Sequence, residues 1–285
     1  MKKLKFLSLL LVLTSLLFIS CSKGNTISSE TQTTSGVKIH YIDVGQGDAI
    51  LIQYKDKNLL IDSSTSKEDK KFKNYINSLK IKKFDAIVAT HPDEDHIGNM
   101  DWVIKNFDVG KFYAPKKKTT TAAFKDMVAE LNNKDLKINV LKGGSTIDFS
   151  PDLKLDVFAP NSDNYGDDNN NYSAIIKLTY GNNTALFTGD AEKESESETL
   201  QKGYNLKSDI LKVGHHGSST STSKNFLQAV NPKYAIISCG KDNKYGHPHI
   251  ETIDKLKAAK VKYYRTDLDG TIIATLDGKT ITFNK

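Results

Sequence analysis

Residues 90–98, Thr-His-Pro-Asp-Glu-Asp-His-Ile-Gly, place four potential metal ligands, His91, Asp93, Asp95 and His96, within six positions. Crowding that many polar and charged groups costs free energy unless a cation gathers them. Imidazole nitrogens together with carboxylate oxygens suit a divalent transition metal. Such an ion acidifies bound water and polarises a scissile bond, which is hydrolytic chemistry. The plainer alternative is a solvated loop in which Asp93 or Asp95 caps a helix.

The elements around the cluster decide whether it can act as a site. An apolar run, Phe84 to Ala89, precedes it and reads as a buried strand. Ile97, Met100, Val103, Ile104 and Phe107 follow at helical spacing. The cluster therefore sits where a strand ends and a helix begins. Two further segments repeat the pattern. Thr184–Thr188 reads as a strand ending in Gly189-Asp190, which projects a carboxylate from its end. Asp209–Val213 reads as a strand ending in Gly214-His215-His216-Gly217-Ser218. Two adjacent histidines between glycines need polar partners if buried. A strand at Lys233–Ser238 leads to Tyr245-Gly-His247-Pro-His249. Of the seven histidines, only His40 lies outside these segments. Strand ends of a layered α/β fold share an edge, so the spacing predicts one common site.

The remaining elements form a scaffold. Strands are expected at Val37–Ile42, Ala49–Tyr54 and Asn58–Asp62. Between the first two lies Asp43-Val-Gly-Gln-Gly-Asp48, either a hairpin turn or a functional loop. Residues 66–80 and Thr121–Asn132 read as helices, and Lys111–Ala114, Leu136–Leu141 and Leu153–Phe158 as strands. Trp102 reads as core and Lys116-Lys117-Lys118 as an exposed basic loop. Ser173–Tyr180 pairs with Thr184–Thr188 through Asn182-Asn183. Helices follow at Glu192–Gln201 and 250–259. The tail, Val261–Phe283, reads as strands joined by hairpins at Asp269-Gly270 and Asp277-Gly278.

The 285 residues, 38% of them hydrophobic, suffice for one large domain. Lys2, Lys3 and Lys5 precede an apolar run from Phe6 to Ile19 and then Ser20-Cys21. That pattern is a secretory leader, and the cysteine resembles a bacterial lipobox, which makes Cys21 the lipidated first residue of the mature chain. Residues 1–21 are then the leader, 22–36 a Ser/Thr-rich tether reaching about 20 Å, and 37–285 the folded domain. The expected location is extracytoplasmic, on the bacterial cell surface, held to the membrane by lipid. Loss of residues 1–20, with three lysines and no acids, lowers the formal charge from +6 to +3. That mild balance does not favour a large non-specific nucleic-acid footprint. Cys239 is then the sole thiol apart from the lipid site, and reads as a small buried residue.

Five segments together, IDVGQGDAILI at 42–52, HPDEDHIGN at 91–99, LFTGDAE at 186–192, LKVGHHGS at 211–218 and YGHPH at 245–249, resemble the metallo-β-lactamase superfamily, in particular the ComEC-like competence-protein branch. The resemblance implies a four-layer αββα sandwich with a metal site at one edge of two sheets. It implies that His91, Asp95 and His96 are ligands, with Asp93 where the family's second histidine stands, and Asp190 as the bridging carboxylate. One of His215 and His216 completes the second metal position and the other faces substrate; His215 is favoured as ligand and His216, with Asp95, as catalytic. Asp48, Ser173 and His247 are expected around the substrate. The histidine usual before the TGD strand is absent, and Asn171 or Ser173 occupies its region. A site so poor in nitrogen suits one or two ions of Zn²⁺ or Mn²⁺. The implied activity is hydrolysis of a phosphodiester, in DNA or in a cell-surface polymer, by a metal-activated hydroxide. The competing expectation is a surface binding lipoprotein that keeps the fold with little chemistry; hydrolysis of β-lactams is a weaker third.

Overall fold

The computed structural model describes residues 36–285. The leader, the proposed lipid site at Cys21 and nearly all of the tether lie outside the described residues. No helix among the described residues is long and apolar enough to cross a membrane.

The strands are β1 (Val37–Tyr41), β2 (Ile50–Tyr54), β3 (Lys57–Ile61), β4 (Lys83–Val88), β5 (Asp108–Pro115), β6 (Ile138–Leu141), β7 (Lys154–Ala159), β8 (Ile175–Tyr180), β9 (Asn183–Phe187), β10 (Ile210–Lys212), β11 (Tyr234–Ile237), β12 (Lys262–Arg265), β13 (Ile272–Leu276) and β14 (Ile281–Phe283). They form two sheets, ordered β14-β13-β1-β2-β3-β4-β5-β6 and β12-β11-β10-β9-β8-β7. The α-helices are α1 (Asp69–Ser78), α2 (Glu94–Ile97), α3 (Met100–Asn106), α4 (Ala122–Asn133), α5 (Lys193–Gln201), α6 (Lys224–Val230), α7 (Ile250–Ala258) and α8 (Thr266–Asp269).

Side-chain alternation builds the layers. Ile39, Tyr41, Leu59, Ile61, Ala86 and Val88 of the first sheet meet Leu155, Val157, Ile176, Phe187, Ile210 and Ile236 of the second in a central core. The opposite faces carry Leu60, Phe84, Ile87 and Phe112, packed by α1, α3 and α4, and Leu186, Leu211, Ala235 and Ile237, packed by α6 and α7. This is the four-layer αββα sandwich expected from the sequence.

Strand direction explains why the chemistry gathers at one edge. β3–β6 run parallel, and so do β9–β12. Their in-register pairs, Ile61 with Val88 and Lys212 with both Phe187 and Ile236, bring the carboxyl ends of the strands level. Asp62, His91, Asp190 and His215-His216 all follow those ends.

Two expectations need correction. The helix after His91 is split into α2 and α3. Gly98 closes α2 where no side chain fits, since a Cβ there would lie 2.4 Å from the Ser66 nitrogen. Asn99 then turns its amide to the Ser63 and Thr65 carbonyls, at 3.0 and 2.9 Å. In the tail, Asp277-Gly278 does close a hairpin, between β13 and β14. Asp269-Gly270 does not: β12 lies parallel to β11 in the second sheet, and α8 carries the chain across to β13 in the first. A strand whose neighbour is already fixed by burial overrides a local turn signal.

Candidate metal centre

Three imidazoles are fixed from behind, which leaves their Nε2 atoms facing forward. The Asp62 carboxylate, at the end of β3, accepts from the Thr90 nitrogen and hydroxyl at 2.8 and 2.7 Å, and its Oδ2 lies 2.8 Å from His96 Nδ1. His216 Nδ1 is 3.0 Å from the Ser238 carbonyl. A carbonyl only accepts, so the proton sits on Nδ1 and the Nε2 lone pair of neutral His216 is free. His91 Nδ1 lies between the hydroxyls of Thr90 and Ser173, each at 3.2 Å. Nε2 of His91, His96 and His216 are all buried without a hydrogen-bond partner, and so is Asp190 Oδ1.

The unpaired atoms of His96, His216 and Asp190 converge. His96 Nε2 is 3.2 Å from Asp190 Oδ1, and His216 Nε2 is 3.3 Å from both Asp190 Oδ2 and Asp95 Oδ2. One ligand atom from each of Asp95, His96, Asp190 and His216 lies within 4.8 Å of the others. That donor set, two imidazoles and two carboxylates, fits one divalent ion. His91 Nε2 faces Asp93 Oδ2 at 3.7 Å alongside, while Asn169 holds the other Asp93 oxygen at 2.7 Å. Asp93 occupies the N-cap position of α2 but makes no capping bond, so the plain capping alternative fails for it.

The electrostatics show what the ring lacks. Burial opposes charge on His96 and His216, yet Asp190, aided by Asp62 at His96 and by Asp48 and Asp95 at His216, holds both well above the usual imidazole range. Burial likewise opposes the Asp190 carboxylate, and His216 and His96 keep it well below its usual range. Burial and then His96 push His91 down to about 4, and burial pushes Asp93 up. A divalent ion and protons compete for the same Nε2 atoms, so loading the ion releases protons.

The sequence favoured His215 over His216 as ligand, and the geometry bears differently on the two. His216, not His215, enters the four-residue group, because His216 is fully buried behind Asp190 while His215 turns outward. Both residues have left-handed backbone, at φ 48° and 55°, a strained conformation for histidine. His215 Nδ1 is 3.0 Å from Glu192 Oε1 and its Nε2 is 3.7 Å from Asp190 Oδ2, at the rim. Between Asn171 and Ser173, it is Ser173 that reaches the centre. Asn171 Oδ1 instead accepts from the Glu192 and Ser195 nitrogens.

The other residues line the surroundings. Asp48 lies 3.4 Å from His216 Nδ1 and 2.7 Å from Lys212 Nζ. Burial alone would raise its carboxyl; Lys212 overrides that, with His216, and holds it at about 2. Gly47 lets this loop dock on the metal loop: its φ is +135° and a Cβ would lie 2.4 Å from the Asp95 carbonyl. His247 packs on His216 with ring centroids 6.1 Å apart, and burial lowers it to about 4. His249 is occupied by the Ser219 nitrogen and the Tyr245 carbonyl.

Asp62, Glu192 and Lys212 are contributors the sequence reading did not single out for the site. Asp62 shows the same signal as Asp190, an acid just past a buried strand. Lys212 is a cation inside the apolar run Ile210–Val213. Asp62→Ala should lower metal affinity by about 10–100-fold, the usual cost of losing such an orienting partner; competition with a chromogenic chelator measures it. Unchanged affinity would show that His96 needs no such support.

Comparisons with known proteins bear on the family and the fold. The model of the Metallo-beta-lactamase superfamily matches residues 42–241. The chain is 32% identical over 265 residues to ComE operon protein 3 of Bacillus subtilis, covering 87% of this chain and 34% of that protein. It is 31% identical over 232 residues to competence protein ComA of Neisseria gonorrhoeae, covering 81% and 31%. The chain thus spans about a third of the length of the curated relatives it matches. The metallo-beta-lactamase fold protein YhfI of Bacillus subtilis superposes with a TM-score of 0.58 at 12% identity, covering 84% of this chain and 99% of that one.

Proposed function

The chain belongs to the metallo-beta-lactamase superfamily, and from that premise we propose that it is a divalent-metal-dependent hydrolase of phosphodiester bonds. The observation that carries this reading is the convergence of two unpaired, buried Nε2 atoms, of His96 and His216, with the Asp95 and Asp190 carboxylates. Asp95, His96, Asp190 and His216 would hold one ion. His91, Asp93 and Asp190 would make a poorer second position, for the Ser173 hydroxyl is taken up by His91 Nδ1 and the Asp190 nitrogen. An ion bound there supplies Lewis-acid polarisation of the phosphoryl group and acidifies water.

The protein's own groups supply the rest. A cavity of about 400 Å³, with Asp93 and Asp95 on its wall and Lys67 and Lys244 at its edge, opens beside the centre. The lysines suit the phosphate charge, and the carboxylates can orient an attacking water. His215 stands at the rim with Nε2 forward and Glu192 behind Nδ1. Burial opposes its charged form, but Glu192 and Asp190 raise it, so it can give a proton to the leaving oxygen. Anchoring through Cys21 would place this chemistry at the cell surface, on DNA or on a surface polymer. Zinc and manganese both suit the donor set.

Turnover of bis(p-nitrophenyl) phosphate and of DNA, after reconstitution with Zn²⁺ or Mn²⁺, tests the reading. Hydrolysis that chelator abolishes is expected; a fully loaded protein without activity on either would contradict it. The incomplete second position favours one alternative, a binding protein with weak chemistry, and the same assay separates the two. Metal removal should also be visible without turnover. An ion present at 100 times its Kd stabilises by about 2.7 kcal/mol, so chelation should lower Tm by roughly 5–10 °C. Calorimetry with and without chelator checks this.

A further inference from the structure

We propose that the hollow between the ends of β5, β6 and β7 and the end of α5 is a subsite for successive phosphates of a polyanionic chain. The inference rests on the phosphodiesterase reading for what the chain is, and on separate residues for the site. The hollow measures about 570 Å³, and Lys116, Lys142 and Lys202 all line it. None of these three exposed ammoniums has an ion-pair or hydrogen-bond partner among the described residues. Some surface lysines, Lys55, Lys83, Lys111, Lys154 and Lys233, sit within 3.0 Å of a carboxylate, and others, such as Lys125 and Lys137, are as unpaired among the described residues as these three, so the shared concavity is what sets the three apart. Here Asp163 is the single acid among the lining residues. Three unneutralised cations around one concavity repel one another and favour a shared anion.

The hollow is built. Tyr204 forms one wall, stacked on Phe158 with centroids 4.8 Å apart. Gly143 keeps the floor open, since a Cβ there would lie 2.1 Å from Asn161 Oδ1. The volume far exceeds one phosphate group, which points to a chain. The segment that lines it also lines the centre: Tyr172 faces the hollow, Asn169 holds Asp93 and Ser173 holds His91. A chain lying in the hollow would therefore run along the segment that also holds Asp93 and His91.

The test uses the mature protein and a variant with Lys116→Gln, Lys142→Gln and Lys202→Gln. A control carries Lys257→Gln, Lys260→Gln and Lys279→Gln, the same charge change on exposed lysines elsewhere. The probe is a short fluorescein-labelled oligothymidylate, read by anisotropy against salt, with chelator present to prevent cleavage. The hollow variant should bind about 10-fold or more weakly near 0.1 M salt, with a salt slope smaller by about 2, the release expected for three single-strand phosphate contacts. The control should bind like the parent, and equimolar inorganic phosphate should not displace the probe. With metal, turnover of bis(p-nitrophenyl) phosphate should be equal in all three. If none hydrolyses that ester while the binding difference stands, the phosphodiesterase reading falls and the subsite survives. Parental affinity in the hollow variant, or an equal loss in the control, would overturn the subsite. Displacement by free phosphate would overturn the assignment to a chain.

Discussion

His216→Ala should purify with less than half an equivalent of divalent metal per chain and lose about 10³-fold or more in kcat/KM, while His215→Ala keeps its metal. The loss for His216 follows from its place. Its Nε2 is the atom that ties Asp95 to Asp190, at 3.3 Å from each. Without it an ion would keep one imidazole and two carboxylates, and the several kcal/mol of charge stabilisation it would lend the proposed hydrolysis would go with it. His215 makes no comparable contact. Its loss should cost about 10²–10⁴-fold in kcat, the range for a proton donor, with the acid or base limb of the pH profile altered. Elemental analysis and steady-state kinetics on the two variants decide. Metal lost from His215→Ala and retained by His216→Ala would reverse the assignment.

Lys212→Met should be the most destabilising single substitution near the site, by about 3–5 kcal/mol, the cost of stranding a buried charge. Lys212 and Asp48 are both fully buried and 2.7 Å apart. Lys212 Nζ also donates to the Val213 carbonyl at 2.9 Å. The Asp48 carboxylate, held at about 2 in the folded protein, contributes stability above its unfolded value and loses it as pH falls toward 2. In Lys212→Met the largest charge opposing burial is gone and only His216 and His96 still offset it, so Asp48 rises, and the variant is least stable at neutral pH and recovers as the carboxyl protonates. The gap between parent and variant should therefore narrow as pH falls, first above about pH 4 as the raised carboxyl of the variant protonates, then below it as the parent loses its carboxylate. Denaturant unfolding in chelator, at neutral and acid pH, measures it. A gap independent of pH would mean that lost packing, not the stranded carboxylate, is the cause.

Much of the fold was legible in the chain because buried strands announce themselves. The runs at 84–89, 184–188 and 209–213 are apolar on both faces, as strands covered on both sides must be. The acids and histidines at their ends stand out against that background. What local pattern could not give was depth. His215 and His216 are neighbours, and only two successive left-handed residues, with the Ser238 carbonyl waiting behind, send one ring inward and the other to the rim. Asp62 was visible as an acid at a strand end, but its role depends on His96 arriving from a different segment. Lys212 is hidden in an apolar run because its partner lies 164 positions away in sequence, on the loop before β2. The Asp269-Gly270 pair misled for the reverse reason: a good local hairpin signal was overruled by sheet membership.

Anomalous diffraction at the metal edge, from crystals loaded with Zn²⁺ or Mn²⁺, tests the centre most directly. The expected result is a peak about 2.0–2.2 Å from one ligand atom each of Asp95, His96, Asp190 and His216. Full loading with no peak among those four residues, or a peak at a surface cluster instead, would contradict it.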